Sequence, residues 1–308
     1  MSDVNVELQL LDTDAAISRV LAPAEQLIAA AYPRPTMEMN ALLLAWHLTG
    51  VAFDSVRPMA AAAFVGDRLV GFAGATPRRF TLDGTCGVGH VVSFVAVAPD
   101  LQGRGVGGRL YDQLLSAAPP DARVLTFAVE GSAGMIAIER AYPRNGFVAK
   151  SLGVIPPYAV FRSRTQTSSG RVDADVERES VLAMAHGVEV ARHLDKDPRG
   201  SVQVAEFGAR AIAARRLTED GSEPLLLLED VDASVRSDDL REIVSAAFDA
   251  FPDHGKMLVV PNLPAPVASV ARSVGLRRLS GPDYRVWICC RDPDDMFLTA
   301  QSTSHPVV

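Results

Sequence analysis

Val95-Ala96-Val97-Ala98-Pro99-Asp100-Leu101-Gln102-Gly103-Arg104-Gly105-Val106-Gly107-Gly108-Arg109-Leu110 is the stretch on which the reading of this chain turns. It opens as an apolar strand and stops at Pro-Asp. A glycine-rich loop follows and runs without pause into Leu110-Tyr111-Asp112-Gln113-Leu114-Leu115, which has the composition of a helix. A loop of this kind turns several backbone N–H groups towards one point at the positive end of a helix dipole. That point is an anion site. The glycines leave no Cβ in the way of an approaching phosphate.

Two sequence patterns use this device. Gly103-x-Gly105-x-x-Gly108 satisfies G-x-G-x-x-G, and Glu130, at the end of the next apolar stretch Val124 to Val129, stands where a ribose-binding acid would. Dinucleotide glycines, however, follow directly on the first strand of their domain. Here Pro99 to Gln102 intervene, and about 90 residues precede the strand. The second pattern, V-x-P-x-x-Q/R-x-x-G-x-G/A, is met at each fixed position by Val97, Pro99, Gln102, Gly105 and Gly107. In this it resembles motif A of the GCN5-related N-acetyltransferases (GNAT), which hold the pyrophosphate of acyl-coenzyme A. A glycine-rich turn with no ligand is the bland alternative.

Composition bounds the rest. A length of 308 residues suggests two domains of ordinary size, and 48% hydrophobic residues mark a globular chain. A net charge of −7 argues against nucleic acid as the main partner, because phosphate backbones require a basic face. The sequence holds no run of 18 apolar residues, and Met1-Ser2-Asp3-Val4-Asn5 lacks a basic-then-apolar signal; the expectation is a cytoplasmic protein without membrane contact. Cys86, Cys289 and Cys290 provide neither a disulfide framework nor metal spacing, so no metal is expected.

Along the chain, Val6 to Leu11 alternates as a strand, and Asp12-Thr13-Asp14 offers caps for a helix through Val20. A second helical region runs from Ala24 to Ala31, and Thr36 to Leu48 is apolar at helical spacing, with His47 inside it. Ala60 to Val65, Gly66-Asp67-Arg68 and Leu69 to Ala75 form a hairpin pattern, followed by a looser turn at Phe80 to Cys86. His90 to Val97 leads into the glycine loop. After the loop come a helix, the strand Val124 to Val129 and a helix from about Ser132 to Ala141. This order is the one the acetyltransferase resemblance implies.

Tyr142-Pro143-Arg144-Asn145-Gly146-Phe147 adds a second match, because that family commonly carries Y-x-x-x-G-F after the same helix. The resemblance implies that Tyr142 protonates the departing thiolate. The alternative is a tyrosine that packs at a helix end which Pro143 terminates.

Thr165-Gln166-Thr167-Ser168-Ser169-Gly170 is the best linker, and the residues beyond it read as a worn repeat. Gly146-Phe147 leading to Pro157-Tyr158-Ala159-Val160-Phe161 recurs as Gly275-Leu276 leading to Pro282-Asp283-Tyr284-Arg285-Val286-Trp287. At that offset Val95–Val97 falls in Leu225–Leu228. Helix Asp238–Phe251, strand Met257–Val260 and helix Pro266–Val274 mirror the other elements. The glycine loop does not recur: Glu229-Asp230-Val231-Asp232-Ala233-Ser234-Val235 has three acids and no glycine, and it would repel a pyrophosphate. The expected fold is α/β (α+β), with two acetyltransferase-like domains, each a mixed, mostly antiparallel sheet flanked by helices. The expected division is a catalytic domain over 1–164, a linker at 165–171, and a degenerate domain over 172–308 without the pyrophosphate loop.

The resemblance also implies a chemistry. Acyl-coenzyme A would pair its pantetheine with Val95, Ala96 and Val97, and a backbone N–H there would polarise the thioester. Gln102, Gly103, Arg104, Gly105, Val106, Gly107 and Gly108 would hold the pyrophosphate. Arg104 and Arg109 either add charge or are merely solvated. An amine of ordinary pKa, about 10, needs a base or a water relay. The cleft-facing strand positions Val91 and Ser93 are not basic, so Glu130 is the first candidate and His90 the second; Glu130 alternatively caps the next helix. The expected function is transfer of an acyl group, acetyl in the first instance, from acetyl-CoA to a primary amine on a small molecule or peptide. A homodimer is left open. A non-catalytic acyl-CoA sensor and a nicotinamide-dependent oxidoreductase are the competing readings.

Overall fold

A computed structural model describes residues 5–49, 56–82, 85–155, 157–162, 179–184, 188–193, 201–204, 209–229, 231, 235–261, 265–268, 271–279 and 283–292. The chain begins β1 (Glu7–Leu11), α1 (Asp14–Ala31), β2 (Thr36–Met37), α2 (Ala41–Leu48), β3 (Met59–Val65), β4 (Arg68–Leu82) and β5 (Thr85–Val97). After a 3₁₀ turn at Pro99–Leu101 come α3 (Val106–Ala117), β6 (Arg123–Val129), α4 (Ala133–Arg144), β7 (Val148–Ile155) and β8 (Tyr158–Phe161). The next elements are β9 (Glu179–Met184), β10 (Val188–His193), β11 (Ser201–Val204), β12 (Ala209–Thr218), β13 (Gly221–Glu229) and α5 (Ser237–Ala250). Last are β14 (Met257–Val260), α6 (Ala265–Ala268), a 3₁₀ turn at Ala271–Val274, β15 (Arg277–Arg278) and β16 (Tyr284–Cys290).

The elements fall into two compact units. One comprises Met1–Pro33, Met39–Gly153 and Tyr284–Val308, the other Arg34–Glu38 and Val154–Asp283. In the first unit the sheet order is β1-β3-β4-β5-β6-β16-β7. Its β5–β6 pair is parallel, whereas β1–β3, β3–β4, β4–β5 and β6–β16 are antiparallel. In the second the order is β11-β12-β13-β14-β8-β15, with β2 beside β12 and with β13–β14 parallel. Two mixed sheets flanked by helices is the expected architecture.

Sheet membership differs from the linear division at 1–164, 165–171 and 172–308. The strand β8 belongs to the second sheet, where it pairs with β14 and β15. The strand β16, at the far end of the sequence, pairs with β6 in the first. These are the two strands that the repeat aligns with each other, so equivalent strands have exchanged sheets. Pro156-Pro157 separates β7 from β8. Two prolines donate no N–H to close a tight hairpin, which favours a chain that runs on instead of turning back. The expected linker at 165–171 lies outside the described residues.

Other expectations are corrected. Instead of two helices, one through Val20 and one over Ala24 to Ala31, α1 is a single helix capped by Thr13, whose side chain accepts from Ala16 N, and Pro23 lies inside it. The buried stripe Ile17, Val20, Leu21, Ala24, Leu27 and Ile28 runs through both parts, and packing outweighs the proline. Thr36 to Leu48 is not one helix: Asn40 caps α2, its Oδ1 accepting from Leu43 N at 2.9 Å. The looser turn expected at Phe80 to Cys86 is strand up to Leu82 and again from Thr85.

The helices α3 and α4 cover one face of the first sheet. A Cβ on Gly71 would lie 3.0 Å from Val106 and 3.1 Å from Leu110, so this face of β4 meets α3. One on Gly74 would lie 2.8 Å from Leu48, so the opposite face meets α2.

Candidate active site

The strands β5 and β6 run parallel from Gly89/Arg123 to Val92/Thr126, and there their pairing ends. Immediately beyond, β5 bulges: Phe72 pairs with Ala96 and Gly74 with Ser93, so two residues of β5 oppose one of β4. Phe94 sits at the bulge with φ 58°, left-handed backbone that a phenylalanine adopts only under constraint. The result is a fork between β5 and β6.

Backbone polarity at the fork follows by alternation. Ala98 N donates to Val70 O at 2.8 Å, so Ala98 and Ala96 face β4, and Val97 and Val95 turn their N–H and C=O groups away from it. Side-chain donors take both outward carbonyls. The Tyr32 hydroxyl donates to Val95 O at 3.1 Å and Gln102 Nε2 to Val97 O at 3.1 Å. Gln102 thus folds the loop back onto the end of its own strand, a physical reason for glutamine at this place in the motif. No local pattern marks Tyr32, which reaches the fork from the end of α1.

The glycine loop is built for an anion. Gly103 (φ 76°) and Gly105 (φ 79°) adopt left-handed backbone, and a Cβ at either would meet nothing within 4 Å. Dihedral freedom, not space, therefore selects glycine. Gly105 is the N-cap of α3, and no side chain caps the helix. The N–H groups of its first turn remain available, and the loop is exposed from Gln102 to Gly105. Arg104 is exposed, whereas Arg109 is directed elsewhere, its Nη2 donating to Val6 O at 3.0 Å. Beside the loop, Arg68 pairs with Asp100 at 2.6 Å and holds its carboxyl below the usual range.

Tyr142 lies at the closed end of the fork. It is fully buried, with its ring 5.8 Å from that of Tyr111 and 5.9 Å from that of Phe147. Its hydroxyl and that of Thr126, the last β6 residue paired with β5, both lack a hydrogen-bond partner of ordinary geometry. Burial, then Cys289 and Tyr111, push the phenol well above 10, so it remains protonated. Pro143 does not end α4, which continues to Arg144. The stop is a Schellman motif: Phe147 N donates to Tyr142 O, Gly146 N to Pro143 O, and Gly146 is left-handed at φ 78°. The Y-x-x-x-G-F spacing is therefore a helix stop with its apolar contact. The second unit repeats it, with Leu276 N on Ala271 O, Gly275 N on Arg272 O, and Gly275 at φ 87°.

The two candidate bases are both engaged. Glu130 Oε1 accepts from Arg285 Nε at 3.1 Å and from Arg285 Nη2. Glu130 does not cap α4; Ser132 does, accepting from Met135 N. Arg285 comes from β16, which no local spacing connects with Glu130. His90 is buried on the α3 face, with Nε2 2.9 Å from Arg57 O and Nδ1 without a partner. Burial lowers its proton affinity.

The parallel pair β5–β6 thus forks beside an antiparallel meander, with an uncapped glycine-rich helix start at its mouth. Residues 23–147 match the acetyltransferase (GNAT) family. The mycothiol acetyltransferase of Rhodococcus jostii (strain RHA1) is 38% identical over 143 residues, 46% of this chain and 40% of that one. The chain thus spans less than half the length of that relative. In fold, the chain is similar to Saccharomyces cerevisiae N-myristoyltransferase with bound myristoyl-CoA, with a TM-score of 0.58 at 9% identity over 91% of this chain and 82% of that one. It is also similar to a tandem GNAT protein from the clavulanic acid biosynthesis pathway, with a TM-score of 0.51 at 13% identity over 92% and 98% of the two chains. No helix among the described residues is long and apolar enough to cross a membrane. Among those residues no three or more His, Cys, Asp or Glu side chains gather as a metal site.

Proposed function

We propose that the protein is an N-acyltransferase that moves an acetyl group from acetyl-CoA to a primary amine by direct attack. The observation that carries this reading is the fork at Val92/Thr126 together with the uncapped, left-handed Gly103–Gly105 turn at its mouth. In this reading the first-turn N–H groups of α3 bind the pyrophosphate, and the outward N–H groups of Val95 and Val97 donate to the pantetheine arm. An outward N–H at the bulge faces the thioester oxygen and stabilises the charge that develops there. Tyr142, held protonated, supplies a proton to the departing thiolate.

The second unit, in the same reading, does not hold coenzyme A. Its helix α5 opens with Asp238 and Asp239, and Asp239 Oδ2 already accepts from Arg236 N at 3.2 Å. Carboxylates at a helix start occupy the place an anion would take. The acidic loop residues 230 and 232–234 lie outside the described residues. A dinucleotide reading fits poorly, because β5 has an antiparallel neighbour in β4, where a doubly wound sheet has parallel ones. Binding without catalysis is favoured by one observation, the engagement of Glu130 by Arg285.

Calorimetric titration with acetyl-CoA, followed by assay of thiol release with a panel of primary amines, tests the reading. One site per chain that is lost in Gly105→Ala, with turnover of an amine, supports it. Binding without turnover of any amine leaves a sensor. NADH binding in place of acetyl-CoA overturns the assignment.

A further inference from the structure

The proposed reaction lacks an acceptor-side base, and the fold indicates where one must stand. The helices α3 and α4 pack on one face of the sheet; the other face of the fork carries Gly74, Phe94, α1 and α2, and in the proposed reaction the amine approaches from this side. By register with β4, Val91 and Ser93 also fall on that face, and neither is a base. His90 falls on the other.

His47 occupies the last turn of α2 on this face. Its ring centroid is 5.2 Å from that of Phe94, the left-handed residue of the bulge. It is half-buried, and therefore reachable. Its position is built: Gly74 lacks the Cβ that would stand 2.8 Å from Leu48 and 3.3 Å from Phe94, so α2 and the Phe94 ring settle together on β4. Among the described residues, Glu25 of α1 meets the opposite end of α2, its Oε2 accepting from Ala41 N. The β4 and β5 residues packed at this end, Gly74 and Phe94, carry no titratable group.

We propose that His47 is the catalytic base of the acyl transfer, receiving the proton of the incoming ammonium on the α2 face of the fork. This rests on the N-acyltransferase reading above. The imidazole takes one proton from R–NH₃⁺. The freed nitrogen pair forms the C–N bond while the carbonyl π pair moves to oxygen. When that pair returns, the C–S bond breaks, the thiolate leaves with the proton of Tyr142, and the second proton of the attacking nitrogen passes through solvent to the phenolate, which restores the tyrosine and leaves the amide neutral. The net products are the amide, the thiol and one proton released to solvent.

His47→Ala and His47→Gln are to be compared with the unaltered protein in three measurements. Titration with acetyl-CoA is expected to be unchanged in both variants, which separates this proposal from the general reading: loss of binding in the unaltered protein refutes the latter. With tyramine, glucosamine, cysteamine and a glycyl peptide as acceptors, kcat/KM should fall about 100-fold, within the range of general base catalysis. The acid limb of the pH profile should vanish, and added imidazole should restore rate to His47→Ala but not to a control, Leu42→Ala. Carbethoxylation of His47 by diethyl pyrocarbonate, which needs no acceptor, should be slowed by acetyl-CoA. An unchanged pH profile, or carbethoxylation at the same rate with and without acetyl-CoA, overturns the proposal.

Discussion

Tyr142→Phe should make the protein more stable and a slower enzyme. The phenol oxygen is buried without a hydrogen-bond partner of ordinary geometry. An unsatisfied buried hydroxyl costs about 1–3 kcal/mol in desolvation. Phenylalanine removes that cost and keeps the ring contacts to Tyr111 at 5.8 Å and Phe147 at 5.9 Å, as well as the backbone bonds of the Schellman stop. The expected gain is about 1–3 kcal/mol, which raises Tm by roughly 2–4 °C for each kcal/mol in a unit of this size. Turnover should move the other way. A thiolate with a pKa near the ordinary thiol value of about 8.5 leaves tolerably without an acid, so the loss should be about 100-fold, the low end for general acid catalysis. Calorimetric melting and a thiol-release assay on one preparation read both effects, and acetyl-CoA titration shows whether binding survives. If Tyr142→Phe is destabilised by about 1 kcal/mol or more while turnover is unchanged, the hydroxyl is a structural group and the reasoning fails.

The remaining predictions concern stability. Arg291 follows β16 and closes the end of α3, with Nη1 on Ala118 O and Pro119 O, Nη2 on Leu115 O, and its guanidinium 4.5 Å from the Phe147 ring centroid. Arg291→Ala removes charge-assisted bonds to a helix C-terminus and should cost about 2 kcal/mol; a change in urea unfolding free energy under about 0.5 kcal/mol would sink the idea. Burial lowers the His90 pKa, so below about 6.5 the unfolded chain takes up a proton that the folded one refuses. Stability should therefore decline as pH falls below about 6.5, with a shallower decline in His90→Leu; equal slopes in urea midpoints between about pH 7.5 and 5.5 would contradict this. Tyr32, Tyr111 and Tyr142 are raised above the free phenol by burial, so unfolding should become easier as pH climbs past about 10, where only the unfolded chain ionises. Far-ultraviolet circular dichroism during alkaline titration checks the sign.

Much of the first unit was legible because its signals are local. A left-handed turn needs glycine, and Gly103, Gly105, Gly146 and Gly275 stand where the loop and the two helix stops require them. The repeat was legible for the same reason, since β13, α5, β14 and the turn into Gly275 follow the offset read from Gly146. The two helices expected on either side of residues 21–23 are one, because a continuous buried stripe carries α1 through Pro23. At Glu130 the sequence showed a carboxylate at the right place but not the arginine 155 residues later that binds it.

The sequence by itself determined the left-handed glycine loop, the strand that feeds it, the helix stops and the twofold repeat, because each depends on dihedral freedom or periodicity within a few residues. Tertiary structure alone decided the rest: which of two similar apolar strands enters which sheet, the forking of β5 from β6, and the meeting of Tyr32 with Val95, Arg285 with Glu130 and His47 with Phe94. The strands β8 and β16 carry comparable patterns, so composition does not choose between sheets. The choice rests on partners distant in the chain, whose pairing energy exists only once both sheets have formed.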